Sequence, residues 1–206
     1  MVADGTITRN PRGSQYVELV STDKELIQNF KRALGAGHAI GTKKPPLNMQ
    51  RQQSYRIQIG NKHLIGRLIA LGLLQKKKTA CRFPRLPRHC QAHFIRGFFD
   101  GDGCVSYAAG VSDAKEGRGR YFQVIFTARD ETFLGDLHLI LKRHAGVTGG
   151  SLHKGTRCYR LLLSSRDGKK LFSYLYGDKE IVDKKLRLSR KHNVFVKAVK
   201  IFGGVV

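Results

Sequence analysis

The amino-acid sequence repeats itself, and that repeat limits the possible folds more than any other feature. ADGTI at 3–7 answers GDGCV at 101–105, YVELVSTDKELIQNF answers FQVIFTARDETFLGDL, and YRIQIGNKHLIGRLIALG answers YRLLLSSRDGKKLFSYLYG. Asp4 and Asp102 lie 98 residues apart and Tyr55 and Tyr159 lie 104 apart, so the offset between copies is nearly constant. A nearly constant offset marks duplication of one structural unit.

Each copy alternates strand and helix signals. Within Tyr55-Arg56-Ile57-Gln58-Ile59 the alternation is strict, with Tyr55, Ile57 and Ile59 on one face and Arg56 and Gln58 on the other. Asn10-Pro11-Arg12-Gly13 reads as a hairpin turn. Asp23 and Asp130 are expected N-caps, for helices running to about Leu34 and Leu141, and Gly35 stops the first. Further helices are expected over Leu64–Leu74 and Lys169–Tyr176, and a basic one within Asp178–Lys200. The pattern predicts an α+β fold of two pseudo-symmetric αββαββα units, the first lacking most of its opening helix. Each unit is a four-stranded antiparallel sheet with helices on one face. The expected boundaries are 1–80 for the first unit, 81–91 for a basic linker broken by Pro84 and Pro87, and 92–206 for the second. Two such units can pair as a pseudo-dimer, which brings Asp4 and Asp102 together.

The chain carries 38 Lys plus Arg against 15 Asp plus Glu, a net charge of +23. That excess exceeds what solubility requires and points to a polyanionic partner, with nucleic acid ahead of a membrane surface. The cations run through strand-like segments as well as the tail, which places them on a folded surface. No apolar run approaches the roughly 18 residues of a membrane span, and there is no signal-peptide pattern. Cys81, Cys90, Cys104 and Cys158 show no CxxC spacing, as expected of a reduced intracellular protein. Cys81, His89, Cys90 and His93 cluster without a zinc-like spacing.

The stretch HFIRGFFDGDGCV, His93 to Val105, concentrates the chemistry. Phe94, Ile95, Phe98 and Phe99 have helical spacing, with Gly97 among them. A helix interior normally avoids glycine, at a cost of about 1 kcal/mol against alanine, so Gly97 suggests another backbone packed close by. Asp100 and Asp102 then fall at the negative end of the helix dipole, an unfavourable place for anions. A divalent metal is one reason to accept them; a helix ending in an Asp/Gly turn is the other. Recurrence of Asp-Gly at the equivalent place, Asp4-Gly5, favours the first.

FIRGFFDGDG resembles the second signature motif of the LAGLIDADG homing endonuclease family, in its single-chain, two-motif form. MVADGTI resembles the tail of the first motif, beginning at its fifth position. The expectation is that the rest of that helix lies upstream in a longer reading frame, or that the chain is a truncated relic. The resemblance implies a Mg²⁺-dependent, site-specific endonuclease that recognises a long stretch of double-stranded DNA as a monomer acting as a pseudo-dimer. It implies Asp4 and Asp102 as metal ligands. It also implies a lysine near each metal, for which Lys78 is the best match in the first half and Lys184 or Lys185 in the second. Asp100, matched by Val2 in the first copy, reads as structural. The alternative is a non-catalytic nucleic-acid binder on the same scaffold, an RNA maturase or a DNA-binding regulator. An intein insert is disfavoured because the chain starts with no Cys or Ser nucleophile and His192-Asn193 precedes Val194.

The outward sheet faces would read the major groove. The candidates are Arg9, Arg12, Lys43, Arg51, Gln53, Arg56 and Gln58 in the first half, and Arg118, Arg120, Gln123, Lys154, Arg157 and Arg160 in the second. Most such contacts reach phosphate and carry no sequence information. The linker and tail lysines and arginines add phosphate contacts, so affinity should fall steeply with salt.

Overall fold

A computed structural model of the chain describes residues 4–43, 52–73, 82–108, 121–178, 181 and 184–203. The chain divides into two compact units, Met1–Thr79 and Ala80–Val206. The first contains β1 (Gly5–Arg9), β2 (Gln15–Ser21), α1 (Lys24–Ala33), β3 (Gly41–Lys43), β4 (Ser54–Ile59) and α2 (Lys62–Ala70). The second contains α3 (Arg88–Asp102), β5 (Gly103–Ala108), β6 (Tyr121–Ala128), α4 (Glu131–His144), β7 (Ser151–Lys154), β8 (Tyr159–Ser164), α5 (Ser165–Tyr176) and α6 (Ser189–Ile201).

Each unit has a four-stranded antiparallel sheet, ordered β1-β2-β4-β3 in one and β5-β6-β8-β7 in the other. The two orders are identical, as duplication requires. Val17 and Leu19 on β2 pair with Ile59 and Ile57 on β4, and all four are buried. Ile27 of α1 joins Leu19, Ile57 and Ile59 in one apolar cluster. In the second unit Phe122, Val124 and Phe126 of β6 and Leu161 and Leu163 of β8 form the buried sheet face. Phe133, Leu134, Leu137 and Leu141 recur at three- and four-residue spacing on α4 and cover that face. Phe98 stacks on Phe126 at 6.0 Å, and Phe99 meets the same ring edge-on at 5.6 Å.

Asp23 and Asp130 cap α1 and α4 as expected, accepting from the backbone N–H of Glu25 at 3.2 Å and Thr132 at 3.0 Å. α2 starts earlier than expected because Asn61 caps it, accepting from Leu64 N at 2.9 Å, and it ends before Gly72 at φ 71°. Two expectations need correction. The basic segment after Asp178 is not helical throughout its described part: α6 begins only at Ser189, and Lys185 sits at φ 49°. The backbone just before α6 is instead committed to α3, as described below. Gly97 is also not tightly packed: a Cβ there would meet no atom within 4 Å among the described residues. Gly103 is the glycine the fold requires, since its Cβ would lie 2.6 Å from the Phe99 carbonyl oxygen. No helix among the described residues is long and apolar enough to cross a membrane.

Candidate nucleic-acid interface

In both units the strand faces that turn away from the apolar core carry polar side chains, interrupted in the first by Val20 beside Arg56. In the first, the register places Glu18 beside Thr6 and Gln58, and pairs Arg56 with Gly41 and Lys43 with Ser54. Lys43, Arg56 and Gln58 therefore share the open face. Glu18 organises two of them: Gln58 Nε2 donates to its Oε1 at 3.3 Å, and Arg56 Nη1 lies 3.6 Å from the same oxygen. An exposed pair of this kind contributes about 1 kcal/mol or less, so its effect is mainly to orient the guanidinium and the amide. Arg9 has the parity of the apolar face at the strand end, and its Nε donates to Gly13 O at 3.1 Å, bracing the hairpin. Arg12 is exposed at the hairpin tip, and Gln53 is exposed just before β4. Arg51 lies outside the described residues.

In the second unit Gln123 faces outward between Ser106 and Ser164, and Arg160 between Thr127 and His153. Ser106 Oγ and Tyr121 Oη are 3.1 Å apart on the same face. Cys104, Ile125 and Leu162 cross it as a less polar stripe. Lys154 pairs with Tyr159, on the opposite parity, and is exposed, as is Arg157 in the following turn. Arg118 and Arg120 lie outside the described residues. His153 shares this face through its pairing with Arg160, a placement that the four residues of SLHK do not fix by themselves.

The acidic stretch takes up the C-terminal end of α3. Asp100 and Arg96, each 6% exposed, are one helical turn apart and point into the protein. Asp100 Oδ2 accepts from Leu188 N at 3.1 Å. Arg96 donates from Nε to Leu186 O at 3.0 Å and from Nη1 to Leu175 O at 3.3 Å. Together they hold the segment before α6 against the helix. Lys191, on the first turns of α6, reaches the same helix end. Its Nζ donates to Phe99 O at 2.9 Å, Gly101 O at 3.0 Å and Gly103 O at 2.6 Å. Phe99 O and Gly101 O belong to the last turn of α3, Phe99 O also accepting the Gly103 N–H, and Gly103 O opens β5; a cation there opposes the negative end of the dipole. Burial pulls the Lys191 pKa below its ordinary value, against the opposing pull of the Asp100 and Asp102 carboxylates.

Asp102 ends α3 with its side chain exposed, and β5 begins at the next residue. Asp4, also exposed, occupies the equivalent place before β1. Lys184 and Lys185 are exposed ahead of α6, and Lys78 lies outside the described residues. The lysine found at the foot of α3 is Lys191. Sequence alone did not separate it from its basic neighbours, because only the return of α6 to α3 selects it. No group of three His, Cys, Asp or Glu side chains among the described residues is arranged to hold a metal.

Residues 89–175 match the family model of a LAGLIDADG-like domain. A curated relative, described as a probable translation initiation factor IF-2 of Thermococcus kodakarensis, is 27% identical over 197 residues. The match covers 87% of this chain but only 15% of that much longer protein. Among solved structures, the chain resembles the homing endonuclease I-WcaI bound to its DNA recognition sequence, with TM-score 0.60, 11% identity, and 91% of this chain and 82% of that one covered. It also resembles the meganuclease I-SmaMI bound to uncleaveable DNA, with TM-score 0.56, 13% identity and coverage of 98% and 89%. I-DmoI in complex with DNA and Mn gives TM-score 0.50 at 16% identity, over 84% of this chain and 88% of that one. Residues 89–175, with the acidic stretch at the end of α3 among them, thus match a LAGLIDADG-like domain, and the chain shares the fold of these solved structures, with the same β-β-α-β-β-α order in both copies.

Proposed function

We propose that the chain is a site-specific endonuclease that cuts double-stranded DNA with the help of Mg²⁺. The observation that carries this reading is the exposed Asp102 carboxylate at the junction between α3 and the first strand of an open, polar sheet. An open antiparallel sheet can follow the major groove, where Arg suits guanine and Gln suits adenine. Arg56, Gln58, Gln123 and Arg160 are the outward residues suited to that task, with Lys43 and the exposed Arg12 and Arg157 on phosphates. The DNA-bound state of I-WcaI and I-SmaMI supports the assignment.

The donor set fits a hard divalent ion. Mg²⁺ keeps several waters and takes one or two carboxylates together with substrate phosphates, and each unit has an exposed carboxylate just ahead of its first strand, Asp4 or Asp102. I-DmoI has been solved with DNA and Mn or Ca, which supports a divalent ion of this class. When bound, the ion would lower the pKa of the attacking water and offset charge on the phosphate. The chain's own part is to hold Asp102 in place. Lys191 anchors the last turn of α3 from below and supplies the cation that makes a carboxylate acceptable at a helix C-terminus. One carboxylate per unit matches the two phosphodiesters of a duplex. Lys78, Lys184 and Lys185 remain the proposed water-activating or charge-offsetting lysines, with Lys191 added to that set.

Selection of cleaved molecules from a randomised duplex library, with and without Mg²⁺, tests the proposal. Asp102→Asn should abolish cutting and leave binding within about twofold, because it removes charge with little change of shape. Retained cutting by that variant would refute the metal-ligand role. Tight binding by the unaltered chain without any cutting would replace the endonuclease with the non-catalytic binder.

A further inference from the structure

We propose that the helix side of the second unit binds single-stranded nucleic acid, on a surface separate from the open sheet face. Among the described strand residues, the lysines and arginines that face outward are Lys43, Arg56 and Arg160, so most of the described cations lie elsewhere. The large net charge therefore has another location to explain.

Two cavities in the helical layer show one. The first, about 540 Å³, lies between the segment around Pro84 and α4, with Arg85 and Arg143 at its sides and Leu139 and Ile140 among its apolar lining. The second, about 470 Å³, lies where α3 begins and is lined by Arg88, His89, His144 and Tyr174. The single carboxylate among the lining residues is Asp136, and Arg82 and the Phe83 amide already engage it at 3.3 and 3.2 Å. The basic segment is also held in place. Phe83 stacks on Phe133 at 5.9 Å and meets Phe94 edge-on at 4.9 Å, so Arg85 and Arg88 emerge from a backbone anchored on either side of α3 and α4. Cations on an anchored backbone lose less freedom when they meet a phosphate.

Shape then selects the kind of nucleic acid. A duplex turns its phosphates outward and keeps its bases inside, so it could touch the rim arginines but fill neither cavity. A single strand offers both parts, phosphates for Arg85, Arg88 and Arg143, and unstacked bases for the apolar and ring surfaces of Leu139, His144 and Tyr174. Leu139 is 65% exposed and lines the first cavity beside Ile140, which leaves its apolar surface open to a base. The cavities stand at the head of α3, a helix of 15 residues, about 20 Å from Asp102 at its foot. The surface is therefore independent of cleavage, and its test needs none.

Fluorescence anisotropy with labelled single-stranded RNA, single-stranded DNA and duplex DNA of equal length tests the proposal in the full chain. The variant Arg85→Gln/Arg88→Gln/Arg143→Gln removes three exposed cations. It should lower single-strand affinity at least about tenfold and flatten its salt dependence by about two, from roughly 0.7 per lost contact, while duplex affinity stays within about twofold. Arg56→Gln/Arg160→Gln should do the reverse. Tyr174→Leu, which keeps all charges, should weaken single-strand binding alone. A preference for RNA over DNA would add recognition of the 2′-hydroxyl, and equal binding would assign the strand by its bases and phosphates. Three results would overturn the proposal: no single-strand binding by the unaltered chain, an unchanged salt slope in the triple variant, or an equal loss of duplex binding in that variant.

Discussion

Replacing Lys191 by methionine isolates what the lysine does at the foot of α3. Methionine keeps the unbranched apolar stem and removes only the ammonium group. The variant loses three hydrogen bonds of 2.6 to 3.0 Å, to Phe99 O, Gly101 O and Gly103 O. A hydrogen bond from a charged donor contributes about 1.5–3 kcal/mol, and a cation at a helix C-terminus adds about 0.3–1 kcal/mol. Two effects reduce that total. Burying an ammonium costs several kcal/mol in itself, and it is that burial that pulls the Lys191 pKa down. Some of the released carbonyls, next to the exposed Asp102, can also take water. A net loss of about 2–4 kcal/mol remains. The chain has no tryptophan, so urea unfolding is best followed by circular dichroism. With a slope of about 2 kcal/mol per molar urea, the midpoint of the second unit should fall by about 1–2 M. Lys185→Met, at an exposed turn position, should change stability by no more than about 0.5 kcal/mol. A Lys191→Met shift as small as that of Lys185→Met would refute the clamp.

Two glycines of the same stretch should respond in opposite directions. Gly103→Ala drives a Cβ to 2.6 Å from the Phe99 carbonyl and should cost about 2–4 kcal/mol, whereas Gly97→Ala meets no atom within 4 Å among the described residues and should stabilise the helix by about 0.5–1 kcal/mol. Urea midpoints measure both, and a destabilising Gly97→Ala would show that a backbone does pack there. His192 packs against the rings of Phe172 and Tyr176 at 5.8 and 4.8 Å; burial, and then Arg187, pull its pKa below 6.5. The unfolded chain therefore takes up this proton more readily than the folded one. Stability is complete above about pH 6.5 and declines as the pH falls through that value toward the lower folded pKa. His192→Leu should remove this part of the decline between about pH 7.5 and 5.5, and an unchanged pH profile in that variant would refute the reading.

What could be read from the sequence follows the range of the interactions involved. Strand faces were legible because alternation is local: Ile57 and Ile59 turn inward and Arg56 and Gln58 outward, as their spacing requires. The caps Asp23 and Asp130 were legible for the same reason, since their partners are two residues away. The start of α6 was not. The backbone of Leu186 and Leu188 is taken by Arg96 and Asp100, some 90 residues earlier, and no local pattern announces that competition. The contact of Lys191 with the end of α3 was not legible for the same reason.

The two acids of the motif show how local geometry divides the roles once one long-range contact is known. Successive residues of a helix turn by about 100°, so Asp100 and Asp102 point nearly opposite ways. Arg96, one turn before Asp100, shares its inward face, and both side chains are spent on the segment ahead of α6. With Asp100 committed to the interior, Asp102 has to face outward, and it does so at the last helical residue, where the chain enters the sheet. The first copy has Val2 at the position of Asp100 and keeps only Asp4. An acid needed to tie α6 to α3 can be absent from the first copy, whereas an acid needed for chemistry should be present in both. The aspartate present in both copies is the one helical geometry leaves exposed, and that coincidence is the strongest physical reason to look for the metal at Asp102 and not at Asp100.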